Sequence, residues 1–417
     1  MRYQKMYKFI LLFIAAELLT AVILDHPANI LPGLVKIITM QDVLITDYVQ
    51  IAGPGAALVN SALVTLVSLL LLYLSKEPPN GFTLVELGLM AGFSLFGKNI
   101  VNIWPIIAGT FLYAKARREP FGKYVSVSLL ATALAPVVSY VALDNGFGNL
   151  WWGIAVGLLI GFVLPPLATH VHYAHKGYSL YNVGFASGII ATVVVSVMKS
   201  FGVTTESRLI WSTGNNRLFL FVLCGLFLSM MGGALVLGGK EVFAAYGRIL
   251  KTTGISGTDY LKSEGGPATT FNMGLCGLFA TLFVAAVGGD LNGPTIGGIF
   301  TIVGFCSTGK HLRNIAPIMF GVVLGGFTKH WHVNQPSPLL ALLFSTTLAP
   351  VAGEFGWIVG ILAGFLHSSV ALNVGIVYGG MNLYNNGFAG GIVAIFMVPV
   401  IHSIEDRRAR ARGEISL

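Results

Sequence analysis

The stretch Gly97-Lys98-Asn99-Ile-Val-Asn102-Ile-Trp-Pro105-Ile-Ile-Ala-Gly109 recurs 212 residues later as Gly309-Lys310-His311-Leu-Arg313-Asn314-Ile-Ala-Pro317-Ile-Met-Phe-Gly321. Seven of the thirteen positions are identical, namely Gly, Lys, Asn, Ile, Pro, Ile and Gly. A repeat of this kind dictates the fold before any local pattern does, because each copy must build the same unit. The same offset relates Thr46-Asp47-Tyr48 to Thr258-Asp259-Tyr260, Asn60 to Asn272, and Asn80-Gly81 to Asn292-Gly293. It drifts to 214 at Leu134-Ala-Pro136 and Leu348-Ala-Pro350. It is 203 at Leu180-Tyr181-Asn182-Val-Gly184-Phe-Ala-Ser-Gly188 and Leu383-Tyr384-Asn385-Asn-Gly387-Phe-Ala-Gly-Gly391. The chain therefore divides into repeats at 1–205 and 206–404, followed by a basic tail at 405–417.

The repeated lysine stands in apolar surroundings, and here composition decides the class. With 55% hydrophobic and 10% charged residues, the chain is expected to be an integral membrane protein. Apolar runs such as Ala56 to Leu74 and Leu218 to Leu237 approach the roughly 20 residues that cross a bilayer, and no soluble domain fits between them. The start resembles a signal peptide, but no small-x-small cleavage site follows, so a retained first helix is expected. The net charge of +8 is scattered between apolar runs and no nucleic-acid motif is present, which excludes a nucleic-acid partner. Cys224, Cys276 and Cys306 lack metal-ligand spacing and read as small buried side chains.

The patterning predicts helices at 7–24, 55–75, 122–143, 150–170 and 178–199, with an amphipathic element at 29–40 and two short segments at 82–96 and 99–114. Fifteen helical residues reach only about 22 Å, so the short pair reads as a re-entrant helical hairpin. The expected fold class is all-α integral membrane, with two inverted repeats of about five transmembrane helices plus one hairpin each. An odd number of crossings inverts the second half. With the N-terminus inside, 17 of the 25 Lys and Arg residues fall on inner segments, five on outer ones and three at the hairpin tips. Two full crossings in place of each hairpin preserve the same parity. The expected location is a bacterial inner membrane, with both termini cytoplasmic, the tail against anionic lipid, and room for a homo-oligomer.

Gly92-x4-Gly97-Lys98 and Gly304-x4-Gly309-Lys310 approach a phosphate-binding loop, but Asn99 and His311 stand where Ser or Thr would hold Mg²⁺. What remains is the physics of an anion site, in which a helix N-terminus and a lysine face one ligand. Opposed tips meeting near the midplane would put Lys98, Asn99, Asn102, Lys310, His311, Arg313 and Asn314 around a solute, with Tyr181, Asn182, Tyr384 and Asn385 beside it. The competing reading gives the asparagines to helix pinning and the Gly-x3-Gly spacings to helix packing. Glu17 and Glu86 lie in apolar surroundings without a charged repeat counterpart; neutral burial or exposure at the interface is the favoured reading, with a counter-ion to a lysine or a protonation site as the alternatives. Asp47 and Asp259 read as helix caps. The histidines have no supporting carboxylate pattern, so neither a metal nor a cofactor is expected.

The duplicated Gly-Lys and Leu-Tyr-Asn-x-Gly-Phe-Ala blocks resemble an uncharacterised family of bacterial polytopic membrane proteins with a repeated domain of unknown function. That resemblance implies no substrate and no site residues. A looser architectural likeness links the chain to transporters with inverted five-helix repeats, including urea transporters and hairpin-bearing elevator carriers. The expectation is a secondary carrier, not an enzyme, for a small anionic solute held between the two tips. The alternatives are a facilitative channel for a neutral polar solute such as urea and a membrane-embedded lipid-modifying enzyme, for which no catalytic constellation is visible.

Overall fold

A computed structural model describes residues 2–143, 149–203, 205 and 208–412. The last five residues of the expected tail lie outside the described residues, as does Glu206 at the expected repeat boundary. The first half runs α1 (Arg2–Leu24), α2 (Pro27–Ile38), α3 (Tyr48–Leu74), α4 (Gly81–Phe93), α5 (Trp104–Ala116), α6 (Gly122–Ala131), α7 (Ala135–Leu143), α8 (Leu150–His175) and α9 (Asn182–Ser200). The second half runs α10 (Asn216–Gly238), α11 (Glu241–Ile249), α12 (Tyr260–Ser263), α13 (Gly266–Ala286), α14 (Gly293–Phe305), α15 (Leu312–Thr328), α16 (Pro336–Phe344), α17 (Ala349–Phe355), α18 (Trp357–Val374) and α19 (Asn385–Ala411). Among the described residues there is no β-strand, only an isolated bridge between Thr46 and Ile210.

Among the described residues, ten helical segments are long and apolar enough to cross a bilayer, with α6–α7 and α16–α17 each counted as one. The chain is an all-helical, multi-pass membrane protein. Its packing repeats: α1 lies on α3 as α10 lies on α13, and α5 lies on α8 as α15 lies on α18. The largest contacts that join the halves are α4 with α14 and α9 with α19. At the second of these Gly184 faces Gly387, so the Gly-x3-Gly spacing serves close helix approach.

The expected 55–75 helix begins earlier, at Tyr48, because Asp47 caps its first turn through a bond from the Val49 amide. A kink at Gly53-Pro54 separates that turn from the rest, and α12–α13 reproduce it as two helices. The expected 122–143 helix is broken by a 3₁₀ turn at Thr132–Leu134, matched by one at Ser345–Leu348. Pro136 and Pro350 explain both breaks, since each lacks the N–H that would bond the carbonyl four residues back, at Thr132 and Thr346.

α4 and α14 run antiparallel in close contact. A Cβ placed on Gly92 would sit 2.7 Å from the Gly297 carbonyl oxygen and 3.0 Å from its Cα. Gly92→Val is therefore expected to lower thermal stability by about 1–3 kcal/mol or more, because backbone rather than a flexible side chain blocks the added carbons. Gly225→Ala, where nothing lies within 4 Å, is the control. Equal melting temperatures for the two variants in detergent would show that the α4–α14 contact does not hold the halves together.

Candidate functional site

Each Gly-Lys tip follows a short helix whose last carbonyls need partners. In the first half Asn60 of α3 donates to the carbonyls of Ser94 (2.7 Å) and Lys98 (2.8 Å). In the second, Asn272 of α13 donates to those of Cys306 (2.7 Å) and Lys310 (2.8 Å). Within each tip Asn102 accepts from the Asn99 amide and donates to the Gly97 carbonyl, as Asn314 does with His311 and Gly309. Asn102 donates further to Asp42 and lies 2.9 Å from the Ser139 hydroxyl, whose own hydrogen bond goes to the same carboxylate. These asparagines shape the tips, and their hydrogen bonds are committed to the scaffold.

The lysine side chains leave the tips and turn inward. Lys310 Nζ donates to the Tyr181 hydroxyl (2.5 Å) and to Thr346 Oγ1 (2.8 Å), and lies 4.5 Å from the Tyr181 ring and 5.0 Å from that of Phe305. Lys98 Nζ lies 3.5 Å from Met90 Sδ, 5.3 Å from the Phe93 ring and 5.4 Å from the Tyr384 ring, with Thr132 Oγ1 3.5 Å from the same sulfur. The cages correspond: Phe93 with Phe305, Thr132 with Thr346, Tyr384 with Tyr181. Each tyrosine comes from the opposite repeat. It is held there because Leu180 N donates to Thr347 O and Leu383 N to Ala133 O, carbonyls that lie within the two 3₁₀ turns.

Both lysines are fully buried, and among the described residues no Asp or Glu oxygen lies within 4.0 Å of either amine. Phe344 stands between the cages, its ring 5.5 Å from Phe93 and 6.4 Å from Tyr181. A cavity of about 340 Å³ reaches the second cage, lined by Asp259, Lys262, Leu180, Phe305, Thr308 and Gly309.

The expectation that the two tips meet is corrected. Ser307 Oγ bonds the Gly81 carbonyl, while Gly293 lies against the Leu95 carbonyl, so the tips sit at opposite ends of the antiparallel α4–α14 pair. Thirteen helical residues separate those ends by about 20 Å. Other expected solute ligands are also directed elsewhere. Asn99 caps its own turn through Val101 N and Asn102 N, and His311 Nε2 faces the Thr252 carbonyl, while Asn99 Nδ2 and His311 Nδ1 have no partner among the described residues. Arg313 is exposed, its Nη1 3.5 Å from the Leu250 carbonyl. Asn182 and Asn385 bond the carbonyls of Ala168 and Ala371, and further engage His175 and Tyr378. Of the eleven expected residues, the structure pairs Lys310 with Tyr181 in one cage and Lys98 with Tyr384 in the other. Thr132, Thr346, Met90 and the phenylalanines complete the cages unanticipated, although Thr132 and Thr346 stand two residues before the repeated Leu-Ala-Pro.

The family described as "Protein of unknown function (DUF1576)" matches this chain twice, over residues 26–200 and again over 239–403. No curated protein and no solved structure matches it.

Proposed function

The chain belongs to that family of unknown function, and within it we propose that the molecule is a secondary carrier for a small anion, recognised at the two caged lysines. The observation that carries this reading is the Lys310 amine: fully buried, held among the described residues by neutral hydroxyls and ring faces, and adjoining a cavity that reaches its cage. An ammonium in such surroundings lacks a counter-charge, and an anion supplies it. Ionisable groups at this depth characteristically mark a solute path.

The carrier reading includes two inverted repeats with re-entrant hairpins. In support, α6 begins where α3 ends, with Gly122 packed on Ser75, and α16 begins where α13 ends, with Leu339 packed on Gly289. Each short helical pair thus leaves and returns at one end of its neighbour. The two ends also differ in closure. At one, Asp47 accepts from the Ser212 amide (2.9 Å), the Ser212 hydroxyl (2.6 Å) and the Gly293 amide, while Ile45 pairs with the 208–210 backbone. At the other, its repeat counterpart Asp259 keeps the equivalent bond from the Gly81 amide but pairs with Lys262 and lines the open cavity. A cavity open at one end and sealed at the other is what alternating access requires.

The runner-up, a channel for a neutral polar solute, relied on free asparagines, and these serve the tips and helix ends. A thermal-shift screen of purified protein against small carboxylates, phosphate, bicarbonate and neutral amides tests the choice. One anion class is expected to stabilise the fold, by about 2.7 kcal/mol at a hundredfold excess over Kd. Stabilisation by a neutral amide alone would overturn the anion reading.

A further inference from the structure

Glu86 takes no part in either cage, yet it is 1% exposed on α4 and its Oε2 has no hydrogen-bond partner among the described residues. Its side chain lines a cavity of about 50 Å³ whose walls include Tyr7, Thr83 and Ser126 and whose rim is the connector Glu77-Pro78-Pro79. That volume has room for water, and the rim lies at the end of α3 from which α4 departs. Glu86 is therefore a buried carboxyl within reach of one aqueous side.

Along α4 the residue one turn further on the same face is Met90, whose sulfur touches Lys98 Nζ at 3.5 Å. Position 298, related to Glu86 by the repeat, is glycine, so only the first cage has a carboxyl in this line. Charge balance then fixes what the pair can do. With no anion present, a Glu86 carboxylate neutralises the Lys98 ammonium. Once an anion sits against that ammonium, the carboxylate becomes the surplus charge in an apolar interior, and taking a proton from water in the cavity removes it. We propose that Glu86 is the proton site of this protein, loaded from the cavity at the Glu77–Pro79 end, so that anion and proton bind together and travel together. The co-transport half rests on the carrier reading; the proton site does not.

Around the cavity the titratable groups are Tyr7 from α1 and Glu77 from the connector, whereas α3 and α6 present Leu72, Val125 and Ser126; away from it, Glu17 of α1 approaches α4 through Ser61, whose hydroxyl lies within hydrogen-bond distance of its Oε1 and of the Ala91 carbonyl. On α12, Lys262 is paired with Asp259 at 3.3 Å, and α14 contains no titratable side chain facing α4. Lys98 is thus the cation expected to set the protonation of Glu86. Removing it favours the protonated acid, so the acid form persists to higher pH.

The test is labelling with dicyclohexylcarbodiimide, which modifies protonated carboxyls in apolar sites, read by peptide mass spectrometry on the detergent-purified full chain with no anion added. An adduct at Glu86 is expected near pH 6, about tenfold weaker near pH 9. In Lys98→Met the fall is expected about one pH unit higher, and in Lys98→Arg, which keeps the charge, at its original place. No adduct near pH 6, or equal labelling across the range, overturns the proton site. Loss of label on adding Na⁺ at fixed pH overturns it in favour of a metal ion. A curve unmoved in Lys98→Met overturns the coupling, and the wild-type curve decides the proton site even where a variant fails to fold. Because no anion enters the measurement, a failed anion screen and a failed proton site are separate results.

Discussion

Lys310→Met is expected to abolish anion-dependent stabilisation while raising the melting temperature of the anion-free protein. The two effects have one cause. Burying an ammonium costs several kcal/mol even after relaxation. Against this, Lys310 gains two hydrogen bonds to neutral hydroxyls, each about 0.5–1.5 kcal/mol net, and ring contacts of about 0.5–2 kcal/mol. Those gains do not clearly offset the desolvation cost, and methionine fills a similar volume without incurring it. Replacing an unpaired buried charge with an apolar side chain is expected to stabilise by about 1–4 kcal/mol, a shift of a few degrees. For the anion, loss of a desolvated partner costs about 2–5 kcal/mol, roughly thirty- to several-thousandfold in affinity. A ligand concentration that stabilises the wild type then leaves the variant unmoved. A lower melting temperature with the anion effect intact would return Lys310 to a structural role.

Much of this arrangement is legible in the sequence. The 212-residue offset pairs Lys98 with Lys310 and Asn60 with Asn272; the structure gives the asparagines the same carbonyl partners and the lysines corresponding rings, though Lys310 bonds two hydroxyls and Lys98 a thioether. The 3₁₀ breaks follow from Pro136 and Pro350 by the missing N–H alone. The mutual position of the tips did not follow from length, because a 13-residue helix can meet its partner end to end or lie alongside it. The sign was present in the spacing of Gly88 and Gly92 and of Gly293 and Gly297, which lets two backbones run side by side. The exchange of tyrosines between repeats left no local trace, since Tyr181 reaches Lys310 across 129 positions of sequence. Nor does a repeated asparagine in an apolar helix reveal whether it faces a solute or a carbonyl. Duplication keeps both kinds.

That ambiguity makes Asn272→Ala the most informative stability test, and a large loss is expected. Asn272 is fully buried, and its amide is the side-chain donor to two carbonyls at the end of α14, where intrahelical partners have run out. Alanine removes both bonds at once. In an apolar interior no water replaces them, and each unsatisfied carbonyl costs about 1–3 kcal/mol, giving a total of about 2–6 kcal/mol. Asn60→Ala should cost a similar amount through Ser94 and Lys98. The two tips lie about 20 Å apart along α4, so the losses should add in the double variant. Asn182→Ala is expected to cost less, since Asn182 is only partly buried and its amide reaches a single carbonyl. Thermal unfolding of the four variants without added anion separates the readings. A wild-type melting temperature for Asn272→Ala combined with lost anion stabilisation would make Asn272 a solute ligand. A large loss with anion stabilisation retained would mean that the asparagines hold the tips so that the lysines can meet the solute.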